Sequence, residues 1–306
     1  MKPNVENESP ETRNLSRREI LGLIGATAAA SLVGGAGQQS ASAEQVSKST
    51  QNPKRVARVE AKPEPIAVDI GQTAVIVVDM QNDFCSKGGL LDRAGLDFSM
   101  IQRAVGPTAK VLTSARQAGL KIVYLKMGFR PDLSDLGVSD SPNRVRHLRF
   151  GVGKTVRAPD GSESRILIRD TWNTDILSDL KPQPDDVVLY KHRFSGFYQT
   201  DLDATLKHLG VKYLVVTGCT TSVCVESTVR DAMFRDYSCV LLADCMGEPI
   251  GSGLPRSNHE ASLLVIQETF GWVSDSNQFI RALEAASSAA GSRNRRGMES
   301  YQIGSV

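Results

Sequence analysis

The sequence predicts an α/β chain, a three-layer α/β/α domain around a mostly parallel open sheet. Three observations carry that expectation. Apolar runs rich in β-branched residues alternate with segments of helical periodicity along most of the chain. The best of these runs is continuous rather than alternating, as expected for a strand buried on both faces. The composition, 41% hydrophobic and 23% charged, is that of an ordinary globular protein. Strand–helix alternation of this kind implies parallel strands with helices on both faces.

Element by element, "TAVIVVD" (73–79) is the first strand, ending in Asp79. A helical stretch over roughly 99–118 sets Ile101, Ala104, Val105, Val111, Leu112 and Ala115 on one face, and Gly106-Pro107 is expected to kink or restart it. "KIVYLKM" (121–127) is the second strand. Residues 130–165 read as a long excursion over the surface, of a kind that usually serves a site. "DDVVLYKHR" (185–193) is the third strand, a helix follows over 201–210, and "KYLVVTG" (212–218) is the fourth. The helix after Cys224 carries an apolar stripe at Val225, Thr228, Val229, Ala232 and Met233. "SCVLLAD" (238–244) is the fifth strand, 258–285 reads as mostly helical, and 286–306 as a mobile tail.

The first 43 residues form a separate unit. Arg17 and Arg18 precede an apolar run from Ile20 to about Val33, and Ala41 and Ala43 fit a small-residue cleavage site. This pattern is a twin-arginine-type signal peptide, too short and too rich in Gly and Ala for a stable membrane anchor. Export, to a periplasm for example, is the expectation; an unused signal would leave the protein cytoplasmic. Residues 44–65 carry three prolines among polar residues and read as a flexible lead-in to the 66–285 domain. A net charge of +2 without a basic face disfavours nucleic acid. Five cysteines and four histidines without a CxxC leave a zinc cluster improbable, and no cofactor or metal is expected.

Asp79, Lys191 and Cys224 fall at or just beyond the carboxyl ends of the first, third and fourth strands, where open α/β sheets bind ligands. Singly, each has an ordinary structural explanation: a turn cap, a solvated amine, a buried thiol. Together they supply an acid or base, a cation and a nucleophile. Amides at a helix start and a nearby Lys191 are expected to lower the Cys224 pKa, with Asp79 taking the proton.

"VVDMQNDF" (77–84), "YKHRFSGFYQTDLD" (190–203) and "TGCTTSVCVESTVRD" (217–231) resemble the isochorismatase-like cysteine hydrolases, over roughly 63–285. The resemblance implies an Asp79–Lys191–Cys224 triad and a cis peptide at Cys219–Thr220. It also implies an oxyanion hole from the N–H groups of Thr220 and Cys224. "LLDRAGLDFS" (90–99), "SGFYQTDLD" and "ETFGWVSD" (268–275) look like the ureidoacrylate amidohydrolase branch. That branch implies hydrolysis of a linear amide or ureido C–N bond through an acyl-enzyme on Cys224. The alternatives are an amidase on a biuret-like compound, a carbamoylated amino acid or an aromatic amide, and an exported binding protein without catalysis.

"MGFRPDLSDLGVSD" (127–140) lacks the histidines with which nicotinamidases, a sister branch, hold a metal. Met127 stands where the ureidoacrylate branch is expected to carry a polar Asn, so the substrate is open to difference. Gln81, Phe84, Phe129, Phe194 and Tyr198 are candidate substrate-binding residues, with core packing or loop capping as the alternative. Arg193 is a candidate partner for a substrate carboxylate; the four histidines show no ligand spacing and are given no role. The expected partners are a small-molecule amide or ureido substrate and further copies of this chain, a homo-oligomer.

Overall fold

Strand β3 (Thr73–Val78) is buried at every position because it lies between two apolar layers. Its odd-numbered Val75 and Val77 belong to one core, its even-numbered Ala74, Ile76 and Val78 to the other, as the two-residue period of a strand requires. The computed structural model describes the backbone of residues 55–302 and side chains through residue 289. The expected signal peptide at 1–43 lies outside the described residues.

Around β3, a six-stranded sheet runs in the order β10-β9-β8-β3-β4-β7, with every neighbouring pair parallel. The other strands are β4 (Lys121–Met127), β7 (Val187–Lys191), β8 (Tyr213–Cys219), β9 (Ser238–Gly247) and β10 (Trp272–Ser274). The chain steps from β3 through β4 to β7 on one side, then returns to β8 on the other. The reversal opens a crevice at the carboxyl ends of β3 and β8, the usual ligand position in such sheets. Helices Ser99–Ala118 and Ser276–Gln302 are in contact, and the Ser99–Ala118 helix packs on β9. Helix Glu226–Met233 places Val229 and Ala232 in the second core.

Gly218 shows why β8 approaches β3 so closely at this end. It has φ +115°, and a Cβ there would stand 2.0 Å from the Val78 carbonyl oxygen. Only glycine fits.

Several expectations need correction. Within the lead-in expected to be flexible, Val56–Val59 is strand β1, paired antiparallel with β2 (Ile66–Asp69). Ala57 and Val59 are buried, so the segment is held by apolar burial despite its prolines. The Ser99–Ala118 helix runs unbroken through Pro107. Residues 258–285 include strand β10, and helix continues from Ser276 to Gln302 where a tail was expected from 286. The 130–165 excursion is built in rather than laid over the surface. It holds a helix (Pro142–Arg149), a hairpin of β5 (Thr155–Arg157) and β6 (Glu163–Arg165), and the buried Leu136 and Val152.

Candidate active site

Asp79 follows β3 directly and adopts φ 53°, a left-handed turn that aspartate tolerates better than most residues. Its N–H donates to Leu125 O at 2.9 Å, and its own carbonyl accepts from Gln81 N–H at 2.8 Å and from the Cys219 thiol at 3.2 Å. Backbone contacts on both sides therefore set the direction of the carboxylate. Lys191 ends β7, two strands away from β3, or roughly 10 Å at the usual strand spacing. Its side chain crosses the end of β4 to reach Asp79. Nζ lies 2.7 Å from Asp79 Oδ2, 3.5 Å from Met127 Sδ and 3.3 Å from Arg193 O. Both side chains of the ion pair are inaccessible to solvent.

Cys224 lies in a π-helical turn, Thr221–Val225, between β8 and the helix that starts at Glu226. π-turns of this sort recur at functional positions. The turn is anchored from both ends. Thr220 O accepts from Val223 and Val225 N–H at 3.2 and 3.1 Å, and the Cys219–Thr220 peptide is cis. The buried Glu248, just past β9, accepts from Ser222 N–H at 2.8 Å and Ser222 Oγ at 2.5 Å. Its other oxygen accepts from Ile250 N–H at 2.9 Å. Thr221 Oγ1 and His259 Nδ1 are 2.9 Å apart.

The fold thus brings the three expected residues together, close enough for Asp79 and Lys191 both to act electrostatically on the Cys224 thiol. The electrostatics differ from expectation. Burial pushes the Cys224 thiol up to about 12; Lys191 opposes this and Asp79 adds to it. Desolvation and the neighbouring carboxylate outweigh the ammonium, so the resting sulfur is a thiol, not the thiolate expected from a helix start. Burial likewise raises Asp79 against the pull of Lys191. Lys191 is itself raised: burial lowers it, but the pull of the Asp79 carboxylate, with a smaller part from Cys224, overcomes that desolvation.

Cys224 and Thr220 open onto a cavity of about 290 Å³. Phe84 and Phe194 line it as expected, and so does Met127. Three other candidates do not line it. Gln81 is buried behind the site, its amide paired with Met127 N and O at 2.8 and 2.9 Å. Phe129 is fully buried and edge-on to His147, with ring centroids 5.0 Å apart. Tyr198 is solvent-exposed beneath the Arg193 guanidinium. Arg193 itself donates to the carbonyls of Asp135 and His192.

Sequence reasoning missed the far wall, where Arg146, His147 and Phe150 come from the excursion. No local motif signals them, since only the packing of that segment places them. A different side of the cavity, at Leu90 and Leu167, is fastened by buried Asp83, which accepts from Leu90 N–H, Leu167 N–H and Asn173 Nδ2. The described cysteines are all unpaired, and Cys219, which donates behind Asp79, is raised well above its ordinary value by burial. Among the described residues, no group of three or more His, Cys, Asp or Glu is arranged to hold a metal ion.

Residues 73–278 match the isochorismatase domain. A ureidoacrylate amidohydrolase RutB of Methylorubrum extorquens is 42% identical over 229 residues, covering 75% of this chain and 88% of the relative. That of Variovorax paradoxus is 38% identical over 226 residues, 74% and 87% of the two chains. Among solved structures, a cysteine hydrolase from Pseudomonas syringae pv. phaseolicola matches with TM-score 0.61 at 31% identity, over 77% of this chain and 99% of that one. The N-carbamoylsarcosine amidase of Thermoplasma acidophilum matches with TM-score 0.50 at 25% identity, over 67% and 96%. The strand-end cluster and the matched sequence arrive at one conclusion: the chain belongs to the isochorismatase family of hydrolases.

Proposed function

We propose that this protein is a cysteine amidohydrolase that cleaves the C–N bond of a linear amide or ureido group through an acyl-enzyme on Cys224. One observation carries the reading: a buried Asp79–Lys191 ion pair at 2.7 Å touches a thiol that opens onto a cavity. The relatives named for ureidoacrylate and N-carbamoylsarcosine hydrolysis support the bond type.

The chemistry follows from the resting thiol. Asp79 accepts the Cys224 proton as the sulfur attacks the carbonyl carbon, which conserves the net charge of the buried cluster. Moving one proton in this way avoids the cost of creating a new charge away from water. Lys191 stays protonated and stabilises the sulfur anion as it forms. The Thr220 and Cys224 N–H groups receive the carbonyl oxygen as it becomes an oxyanion, a contribution of about 2.7–4 kcal/mol per donor in well-studied cases. Asp79 then protonates the departing nitrogen, the C–N bond breaks, and ammonia or an amine leaves behind a thioester. Water, giving its proton to Asp79, attacks the thioester; the sulfur departs and recovers that proton.

The test is ammonia release from a panel of amides and ureido compounds by the wild type and Cys224→Ala. Turnover by the wild type alone is expected. Retained turnover in Cys224→Ala, or undiminished activity in Asp79→Ala, contradicts the mechanism. The same preparation reports two further proposals carried from the sequence: export, by cell fractionation of the full-length chain, and homo-oligomerisation, by light scattering.

A further inference from the structure

We infer that the substrate carries an apolar body, a ring or alkyl chain, beside its scissile amide or ureido group. This inference rests on the amidohydrolase reading above. Leu90, Leu91 and Leu96 supply one side of the cavity, Val223 comes from the nucleophile's own turn, and Phe150 and Ile250 stand at the rim. A cavity of roughly 150 Å³ is enough for benzene, so about 290 Å³ takes the reacting group together with a ring or chain.

The polar content of the lining is small. His147 has Nδ1 2.6 Å from Asn143 O, and burial, together with the Lys191 and Arg193 charges, lowers its pKa and keeps it neutral. Near the triad, Met127 offers a thioether whose sulfur sits 3.5 Å from Lys191 Nζ. The one charged residue in the lining, Arg146, is solvent-exposed. A carboxylate held deep in this space would exchange water for leucine and phenylalanine, and an unpaired buried charge is strongly unfavourable. An apolar body gains from the same surroundings. Phe150 and Ile250 add to this: both are large, apolar and more than half or about half exposed, at 56% and 50%. Apolar side chains left open at a cavity mouth gain burial when an apolar ligand enters.

The experiment measures kcat/KM by ammonia release for acetamide, butanamide, hexanamide, benzamide, ureidoacrylate and N-carbamoylglycine, using the full chain. Calorimetric binding of the same amides to Cys224→Ala runs beside it. The inference expects about a three- to fourfold gain per added methylene, with hexanamide and benzamide exceeding both ureido acids. Phe150→Ser, a change at an exposed position, should lower the hexanamide-to-acetamide ratio several-fold. A flat or falling amide series with ureidoacrylate preferred overturns the apolar body and leaves the amidohydrolase reading standing. Affinity that rises along the series without turnover of any compound upholds the apolar site and overturns the amidohydrolase reading.

Discussion

Asp79 and Asp83 are four residues apart, both fully buried, and do opposite work. Asp79 faces an ammonium at 2.7 Å and a thiol. Asp83 faces three N–H donors, from Leu90, Leu167 and Asn173. The first sits on the sheet rim, where three strand ends converge. The second sits behind the cavity wall, where one side chain ties together segments far apart in sequence. Burial raises the pKa of both; in the proposed mechanism this suits Asp79 to accept a proton, whereas for Asp83 it is the cost of a fixed joint. On the proposed function the rim supplies reactivity and the wall supplies shape, and substitutions should separate the two.

The largest expected effect is at the rim. Cys224→Ala should abolish turnover and leave the thermal unfolding midpoint close to that of the wild type, because no buried charge loses its partner. Asp79→Asn should lower kcat by about 10²–10⁴-fold, the usual worth of a general base. It should also destabilise the fold by about 3–5 kcal/mol, since Lys191 is left buried without its counter-ion. Chemical denaturation checks that second effect.

At the wall, Asp83→Asn should raise KM more than it lowers kcat, and should cost about 1–3 kcal/mol for a donor set against a donor. It should also change the pH dependence of stability. The Asp83 carboxyl is raised from 3.8 to about 6 in the folded protein. The folded state therefore holds more protons than the unfolded state between these values, and stability falls as pH rises through that window. This contribution is fully present below about pH 4 and lost above about pH 6; denaturation at pH 4, 5 and 7 should show it in the wild type and not in Asp83→Asn.

The pH–rate profile gives a further separation. Activity should fall as pH drops through the raised Asp79 value, above the ordinary carboxylate range. With the thiol held at about 12, no thiol limb should appear between about pH 7 and 9, where free cysteines titrate. The smallest effect is expected for Glu248→Gln, which weakens the anchor of the nucleophile turn and should reduce kcat by up to about tenfold, one lost hydrogen bond's worth.

The same contrast explains what could be read from the sequence. Strand β3 is legible because every residue from Thr73 to Val78 is buried, so the run is unbroken. Asp79 and Lys191 are legible because each ends an apolar run, although that of β7 is only partly buried. Strand β10, three residues at the sheet edge, is too short to show a period. Strand β1 was hidden by neighbouring prolines, although Ala57 and Val59 alternate inward. The wall residues Arg146, His147 and Phe150 carry no motif, because the Pro142–Arg149 helix takes its position from contacts such as Asn143 Nδ2 donating to Leu136 O and Phe129 edge-on to His147, which only the packed segment brings about. The state of Cys224 was misread for a related reason. Helix position and a neighbouring lysine can be read along the chain, but the desolvation that outweighs them belongs to the packed interior.

The central claim is tested most directly by acid-quenching the enzyme during turnover of a slowly hydrolysed amide and mapping the adduct by peptide mass spectrometry. The account predicts an acyl group on the Cys224 peptide that appears and decays with turnover and is missing in Cys224→Ala. Steady product formation with Cys224 unmodified at every time point, or an adduct on a different residue, would contradict it.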